Sequence, residues 1–334
     1  MRDPRQTVAV IGGGANGEHD VSLASAAAVT RALRELGHDV VPLTIARAGG
    51  WVDEHGTALT PTDAVAVLTS CDVAFPVLHG VGGEDGAIAG LLGLLDVPFV
   101  GSPVRAGALG MDKWVTKTIA EAVGIRTAPG QLVHRDDTAG PGGARDDLPA
   151  IAVQFPVVVK PTTGGSSNGV SVVRDVADLG VALDRAFSAG EHALVEAFVT
   201  GREVDIALFR DRDGRVRAGS TLEIGVGPGD VFGREQKYDG SADFTVPARI
   251  SAEEHVRLEQ AARTLYDVLG CAGVARFDFF VTPTGVVLNE VNTAPGFTEQ
   301  SQVPRMFAAT GLPYVGLVAA LLATTGRTRA MIAW

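Results

Sequence analysis

The chain has 334 residues, 46% of them hydrophobic and 20% charged, with a formal net charge of −11. That length and apolar content support more than one buried core and exclude a disordered or fibrous chain. The acidic balance, with no block of Lys or Arg, excludes a nucleic-acid-binding surface, so an anionic ligand has to be held by a few placed cations and metal ions.

No stretch reaches the roughly 20 apolar residues of a membrane span, and residues 312–322 are too few. The opening MRDPRQTVAVIGGG has an apolar run only at residues 8–11, unlike a secretory signal. Cys71 and Cys271 lie far apart in apolar surroundings and read as small buried hydrophobes rather than a disulfide or metal ligands. The expectation is a soluble cytoplasmic protein with neither membrane nor nucleic acid among its partners.

In chain order, residues 8–11 form a buried-strand run, followed by Gly12-Gly13-Gly14 and a helical pattern over 21–36 that Gly37 ends. Residues 40–45 read as the next strand, 71–78 as another β-like run, 87–95 as helix and 97–100 as strand. This alternation predicts a parallel sheet covered by helices. A helix over 113–122 ends at Gly124, and the Gly-, Pro- and Asp-rich stretch 136–149 reads as an exposed loop. Then 157–160 is a strand entering a Gly/Ser loop at 164–169, with a strand at 170–173; strands and helices continue through 192–198 and 203–209. Runs at 276–281 and 286–291, joined by Pro283-Thr284-Gly285, predict a β-hairpin.

Gly12-x-Gly14-x-x-Gly17 matches the dinucleotide-binding fingerprint, with Asp39 about 20 residues on, where a ribose-binding acid belongs. Alone it points to an NAD(P)-dependent oxidoreductase, the distant alternative, or to a plain glycine turn. Glu18-His19-Asp20 directly at the turn argues against a dinucleotide, because an acid there repels a pyrophosphate and suits a cationic amine.

Four later segments point elsewhere. In LHGVGGEDG, His79 closes a strand where open α/β sheets bind ligands, and glycines let the backbone approach one; a structural histidine is the other reading. Lys160-Pro161 ends a strand before Gly164-Gly165-Ser166-Ser167-Asn168-Gly169, which reads either as a loop folding over phosphates or as a flexible solvent loop; Lys160 and Lys113 favour phosphate. In Arg276-Phe277-Asp278-Phe279 the polar residues share one strand face, and Glu290 and Asn292 repeat the spacing on the partner. The hairpin thus gathers oxygen donors suited to Mg²⁺ beside a guanidinium, unless both faces simply meet solvent. Gln236-Lys237-Tyr238 adjoins a polar loop that is either disordered or a water-excluding lid.

From residue 8 to about 322, the ordered set GGGANGEHDVS, LHGVGGEDG, MDK, VVVKPTTGGSSNGV, Glu196…GRE, QKY, ARFDFF and NEVNTAPGFTEQS resembles the D-alanine–D-alanine ligases of the ATP-grasp superfamily. The resemblance implies a three-domain α/β ATP-grasp fold: a Rossmann-like parallel-sheet domain at 1–112, a central lid domain at 113–204 and a catalytic domain at 205–334. It implies ATP-dependent joining of two D-alanines through a D-alanyl phosphate, for peptidoglycan precursors, by a homodimer. Glu18 would hold the first substrate's ammonium and His79 would lie near its carboxylate. Lys113, Lys160, Ser166 and Lys237 would serve the ATP phosphates; Glu196, the backbone of Ala197, Phe198 and Val199, and Glu203 would meet adenine and ribose. Tyr238 would join Glu18 and Ser166 in a lid contact, and Asp278, Glu290 and Asn292 would hold two Mg²⁺, with Mn²⁺ as a substitute. Arg276 and the Gly296 N–H would stabilise the oxyanion, and Ser301 would bind the second carboxylate. The lid stretch at 232–236 and Thr298-Glu299-Gln300 depart from the family's usual pattern, leaving D-serine, D-lactate or an antibiotic-pathway acceptor as alternatives.

Overall fold

The computed structural model describes residues 5–138, 151–225 and 243–325, and among these the strands form three sheets. In the first, β1 (Thr7–Gly13) runs parallel to β2 (Asp39–Ile45) and β5 (Val73–Pro76). Residues 8–13 of β1 are all buried, as a strand covered by helices on both faces requires. The covering elements include α1 (His19–Glu35), α2 (Pro61–Ser70) and α3 (Ala87–Leu94). β3 (Trp51–Val52) and β4 (Ala58–Leu59) add an antiparallel edge that the sequence reading did not anticipate, so the sheet is mixed. Residues 97–100, expected as a strand, form a single parallel bridge from Phe99 to Ala74. Pro98 has no N–H with which to extend the ladder.

The second sheet is antiparallel, in the order β6-β9-β7-β8: β6 (Gly130–His134), β7 (Val157–Pro161), β8 (Ser171–Val173) and β9 (His192–Ala197). Val157, Val159, Ala193 and Val195 turn one face onto Leu179, Leu183 and Phe187 of α6 (Leu179–Phe187), a core of its own. Side chains alternate along a strand. Val158, Lys160 and Glu196 therefore point to the other face.

In the third sheet β10 (Arg202–Arg210), β11 (Val216–Ala218), β12 (Leu222–Gly225) and β13 (Asp243–Thr245) precede the hairpin of β14 (Val274–Thr282) and β15 (Gly285–Asn292). Phe277 and Phe279 pack on Leu258, Leu265 and Tyr266 of α7 (Ala252–Leu269), as the period-two pattern predicted. Ala106 of α4 (Val104–Met111) and Ala120 of α5 (Lys113–Ala122) join that core. Ala207 and Phe209 share another core with Val8, Val10 and Phe75 of the first sheet, together with α8 (Gln302–Ala308) and α9 (Tyr314–Leu322). The uncovered face of the second sheet and the Glu203 and Glu290 end of the third are thereby left to line the space between the two sheets.

α7 is fastened at both ends. Ser251 and Glu254 form a capping box, and Gly270 closes the helix in the left-handed conformation with φ 76°. The Tyr266 hydroxyl donates to Gly273 O at 2.8 Å and accepts the Arg210 N–H at 3.1 Å, tying the helix to β10 and the start of β14. Tyr266→Phe leaves two buried backbone groups without that partner and should cost about 1–3 kcal/mol. Urea unfolding checks this; an unchanged midpoint would remove the hydroxyl from the account.

Candidate active site

A cavity of about 320 Å³ opens between the second and third sheets, lined among others by Lys113, Lys160, Ser166, Glu196, Glu203 and Glu290. Ala197, Phe198 and Val199 form another part of its wall. A space of this size suits a small ligand.

Two of its lining charges form a buried triad with a third that lies behind the wall. Lys160 Nζ lies 2.7 Å from Glu196 Oε1 and Lys117 Nζ 2.6 Å from Glu196 Oε2, all three side chains being at most 6% exposed. Burial disfavours the Glu196 carboxylate, but the two ammonium groups outweigh it and hold its pKa below the ordinary value. Burial pushes Lys117 down to about 8 against the pull of Glu196. The sequence reading singled out Lys113 and Lys160 but missed Lys117, one helical turn beyond Lys113 and lacking any motif of its own.

The hairpin positions the next group. Cross-strand pairing sets Arg276 opposite Asn292 and Asp278 opposite Glu290, the polar face expected from the spacing. Then the register slips: Phe279 pairs with Leu288, and Asn289 is left as the extra residue of a β-bulge. Strict alternation would turn Asn289 away from Glu290; the bulge lets both line the cavity, and Asn289 Oδ1 accepts from Lys160 Nζ at 3.2 Å. Alternation alone could not have identified Asn289.

Arg276 makes a two-pronged contact with Asp278, Nε to Oδ1 and Nη2 to Oδ2 each at 2.7 Å. It also lies 3.6 Å from fully buried Asp205, a residue the sequence reading passed over. Burial opposes the guanidinium charge, yet Asp278 and Asp205 raise its pKa and keep it cationic. Asn292 Nδ2 donates to Asp278 Oδ2 at 3.0 Å, and Lys113 Nζ lies 3.5 Å from Glu290. Among the described residues no group of three or more His, Cys, Asp or Glu converges as a ready-made metal cage. The donors are two carboxylates and an amide oxygen, which fits Mg²⁺ completed by phosphate oxygens and water.

The amino-terminal part closes the site from the other side. Glu18 precedes α1, and Ser166 Oγ donates to its Oε1 at 2.6 Å across 148 residues of chain. Ser166 and Ser167 both have φ 56°, an unfavourable conformation for residues other than glycine. A Cβ at Gly80, whose φ is +68°, would collide with Glu18 Oε2, which explains a glycine there. Lys113 Nζ donates to Gly164 O at 2.8 Å, fastening the start of the same loop. Glu84, which the sequence reading left without a role, sits near Glu18 and Glu290; burial and those like charges push its carboxyl up to about 8. Near neutral pH it is mostly protonated and adds little repulsion.

His79 is 3% exposed. Its Nδ1 faces Ala294 O at 2.8 Å and therefore carries the proton, while Nε2 accepts from Ser25 Oγ at 3.0 Å. Ser25 Oγ in turn accepts the Phe297 N–H at 3.2 Å, so His79 and Ser25 together staple the turn that contains Gly296. Ser301 lies beside Gly296, its Oγ accepting the Thr298 N–H at 3.0 Å. Lys237 and Tyr238 lie outside the described residues.

The dinucleotide reading is corrected. Asp39 starts β2, at the opposite end of the strand from a ribose-binding acid, and is paired with exposed Arg5 at 2.7 Å. Gly12 and Gly13 belong to β1 itself, and the carboxylate of Glu18 stands at the mouth of α1. A pyrophosphate placed there would stand beside a like charge.

This architecture is that of ATP-grasp ligases. Among solved structures, the VanG D-Ala:D-Ser ligase from Enterococcus faecalis superposes with a TM-score of 0.81 at 30% identity, covering 96% of this chain and 100% of that one. The D-alanine–D-alanine ligase from Bacillus anthracis complexed with ATP gives 0.79 at 26% identity, covering 98% and 99%. Family models for the D-ala D-ala ligase N-terminus match residues 7–66 and 54–102, and that for the C-terminus matches 119–323. The D-alanine–D-alanine ligase of Nocardia farcinica is 39% identical over 96% of this chain and 97% of its own length. That of Mycobacterium tuberculosis is 37% identical over 97% and 96%. The chain belongs to the D-alanine–D-alanine ligase family.

Burial holds the His79 pKa below its ordinary value. Its contribution to stability is thus full above the unfolded value of about 6.5 and is lost as pH falls through the folded one. Nitrogen-15 NMR should find a neutral ring protonated at Nδ1 at pH 6.5; an imidazolium at that pH would contradict the network.

Proposed function

We propose that this chain joins two D-alanines to D-alanyl-D-alanine at the expense of ATP, supplying a precursor of peptidoglycan. The observation that carries the reading is a cavity lined by Lys113, Lys160, the serine loop and Glu290, the last paired across the hairpin with Asp278, which in turn holds Arg276. A carboxylate and a polyphosphate repel one another, so their reaction needs fixed positive charge and exclusion of water.

In this reading Lys113 and Lys160 orient the phosphates of ATP, with Lys237 as a further cation. The serine loop covers them, held to Glu18 through Ser166. The wall at Ala197, Phe198 and Val199, with Glu196 and Glu203, receives adenine and ribose. Glu18 takes the ammonium of the first D-alanine, and a carboxylate oxygen of that D-alanine attacks the γ-phosphorus, releasing ADP. The amine of the second D-alanine, bound through Ser301, attacks the resulting acyl phosphate and expels inorganic phosphate. Arg276 and the Gly296 N–H receive the developing oxyanion. The His79–Ser25 staple orients that turn, a more indirect part for His79 than contact with a substrate carboxylate. Asp278, Glu290 and Asn292 would hold Mg²⁺, which supplies charge neutralisation of the phosphates. Tyr238 completes the contact between Glu18 and Ser166.

The functional division into units at 1–112, 113–204 and 205–334, a homodimeric assembly and a cytoplasmic location belong to the same proposal. Among the described residues no helix is long and apolar enough to cross a membrane. The similarity to a D-Ala:D-Ser ligase favours D-serine as the second acceptor to examine.

Phosphate release from ATP with D-alanine alone, and a product of dipeptide mass, is the expected result. Release only with D-serine or D-lactate present would reassign the acceptor, and none with any D-acid would overturn the reading. Arg276→Lys keeps a positive charge against Asp205 and Asp278 but loses the planar fork, and should lower kcat about 100-fold. Undiminished turnover would remove Arg276 from the reaction.

A further inference from the structure

Lys117 is a buried cation with no part in the scheme above. It is absent from the wall of the cavity, and yet it touches a group that is part of it. Helix α5 carries Lys113 and Lys117 four residues apart, hence on one face. Lys113 reaches the serine loop and Glu290, whereas Lys117 passes beneath to Glu196 on β9 and to Leu288 O on β15 at 3.4 Å.

The charges decide what this does. Without Lys117, Glu196 would pair with Lys160 alone, and the two would cancel. Lys113 already stands against Glu290. These two pairs, Lys160–Glu196 and Lys113–Glu290, would leave no net positive charge of their own for an anion. With Lys117 present, the set of Lys113, Lys117, Lys160, Glu196 and Glu290 carries a net charge of +1 (three cations, two anions). In a poorly solvated site one unit of charge has a large effect on a polyphosphate.

We propose that Lys117 is a positioning residue for the nucleotide: it neutralises Glu196 from behind, so that Lys160 keeps its charge for the phosphates. This rests on the ligase reading only in taking the ligand to be a nucleotide. The groups that face Lys117 are Glu196 from β9, Lys160 from β7 and Glu290 from β15, with Lys113 on its own helix. The low pKa of about 8 means that the contribution is present below that pH and fades above it. Bound phosphate would favour the charged form and move the loss to higher pH.

Calorimetric binding of ADP with Mg²⁺ to the full chain, without D-alanine, tests this separately from turnover. Lys117→Met should weaken ADP about tenfold or more at pH 7.5, while Lys117→Arg, which keeps the charge, should stay within about threefold of the unsubstituted chain. Between pH 7.5 and 9.5 the unsubstituted chain should lose affinity more steeply than Lys117→Arg, whose guanidinium does not titrate there. That comparison still decides the matter if Lys117→Met fails to fold. Equal ADP affinity in Lys117→Met and the unsubstituted chain, or identical pH profiles for Lys117→Arg and the unsubstituted chain, would overturn the proposal. ADP binding that behaves as expected without D-alanine-dependent phosphate release would instead sink only the ligase reading.

Discussion

A charge taken out of water has to be answered by another charge, and the site is arranged around that constraint. Glu196 lies buried between Lys117 and Lys160, and Arg276 between Asp278 and Asp205. Removing one member of such a set leaves a buried ion uncompensated, a cost of about 3–5 kcal/mol. The partners come from α5, β7 and β9 in the first set and from β10 and β14 in the second. Neither set can form until distant segments have folded onto one another, so the electrostatics of the site and its architecture are a single problem.

Polar contacts of longer sequence reach complete the closure. The four-stranded sheet has its own apolar core. Its serine loop meets the amino-terminal part through the Ser166–Glu18 contact and α5 through Lys113 and Gly164. Joints of this kind, resting on a few hydrogen bonds and on two serines in a left-handed conformation, are weaker than the shared apolar cores elsewhere. A loop that has to admit and release a ligand is best held in that way.

Much of this was legible in the residues, and the failures have physical causes. Alternation located the Arg276/Asp278 face and its partner Glu290/Asn292, because antiparallel pairing preserves side-chain parity. It failed at Asn289, where a bulge breaks parity. The strand expected at 97–100 was cut to one bridge by a proline, and the short β3 and β4 carry too little pattern to be seen. The Gly12–Gly17 fingerprint alone pointed elsewhere because it describes a tight turn, not what the turn holds; Glu18 at its end was the better guide, as the sequence already indicated. Lys117 belongs to no motif and drew no reading from the sequence. Only the packing of α5 against β9 and β15 shows it to be buried.

The account turns on a carboxylate oxygen attacking phosphorus inside this cavity. D-alanine labelled with oxygen-18 in its carboxylate, incubated with ATP and the chain, tests that most directly. The expected outcome is one labelled oxygen in each molecule of inorganic phosphate released, carried over when the acyl phosphate is broken by the incoming amine. Phosphate free of label, released at the same rate as dipeptide forms, would mean that no bond between the substrate carboxylate and phosphorus is ever made.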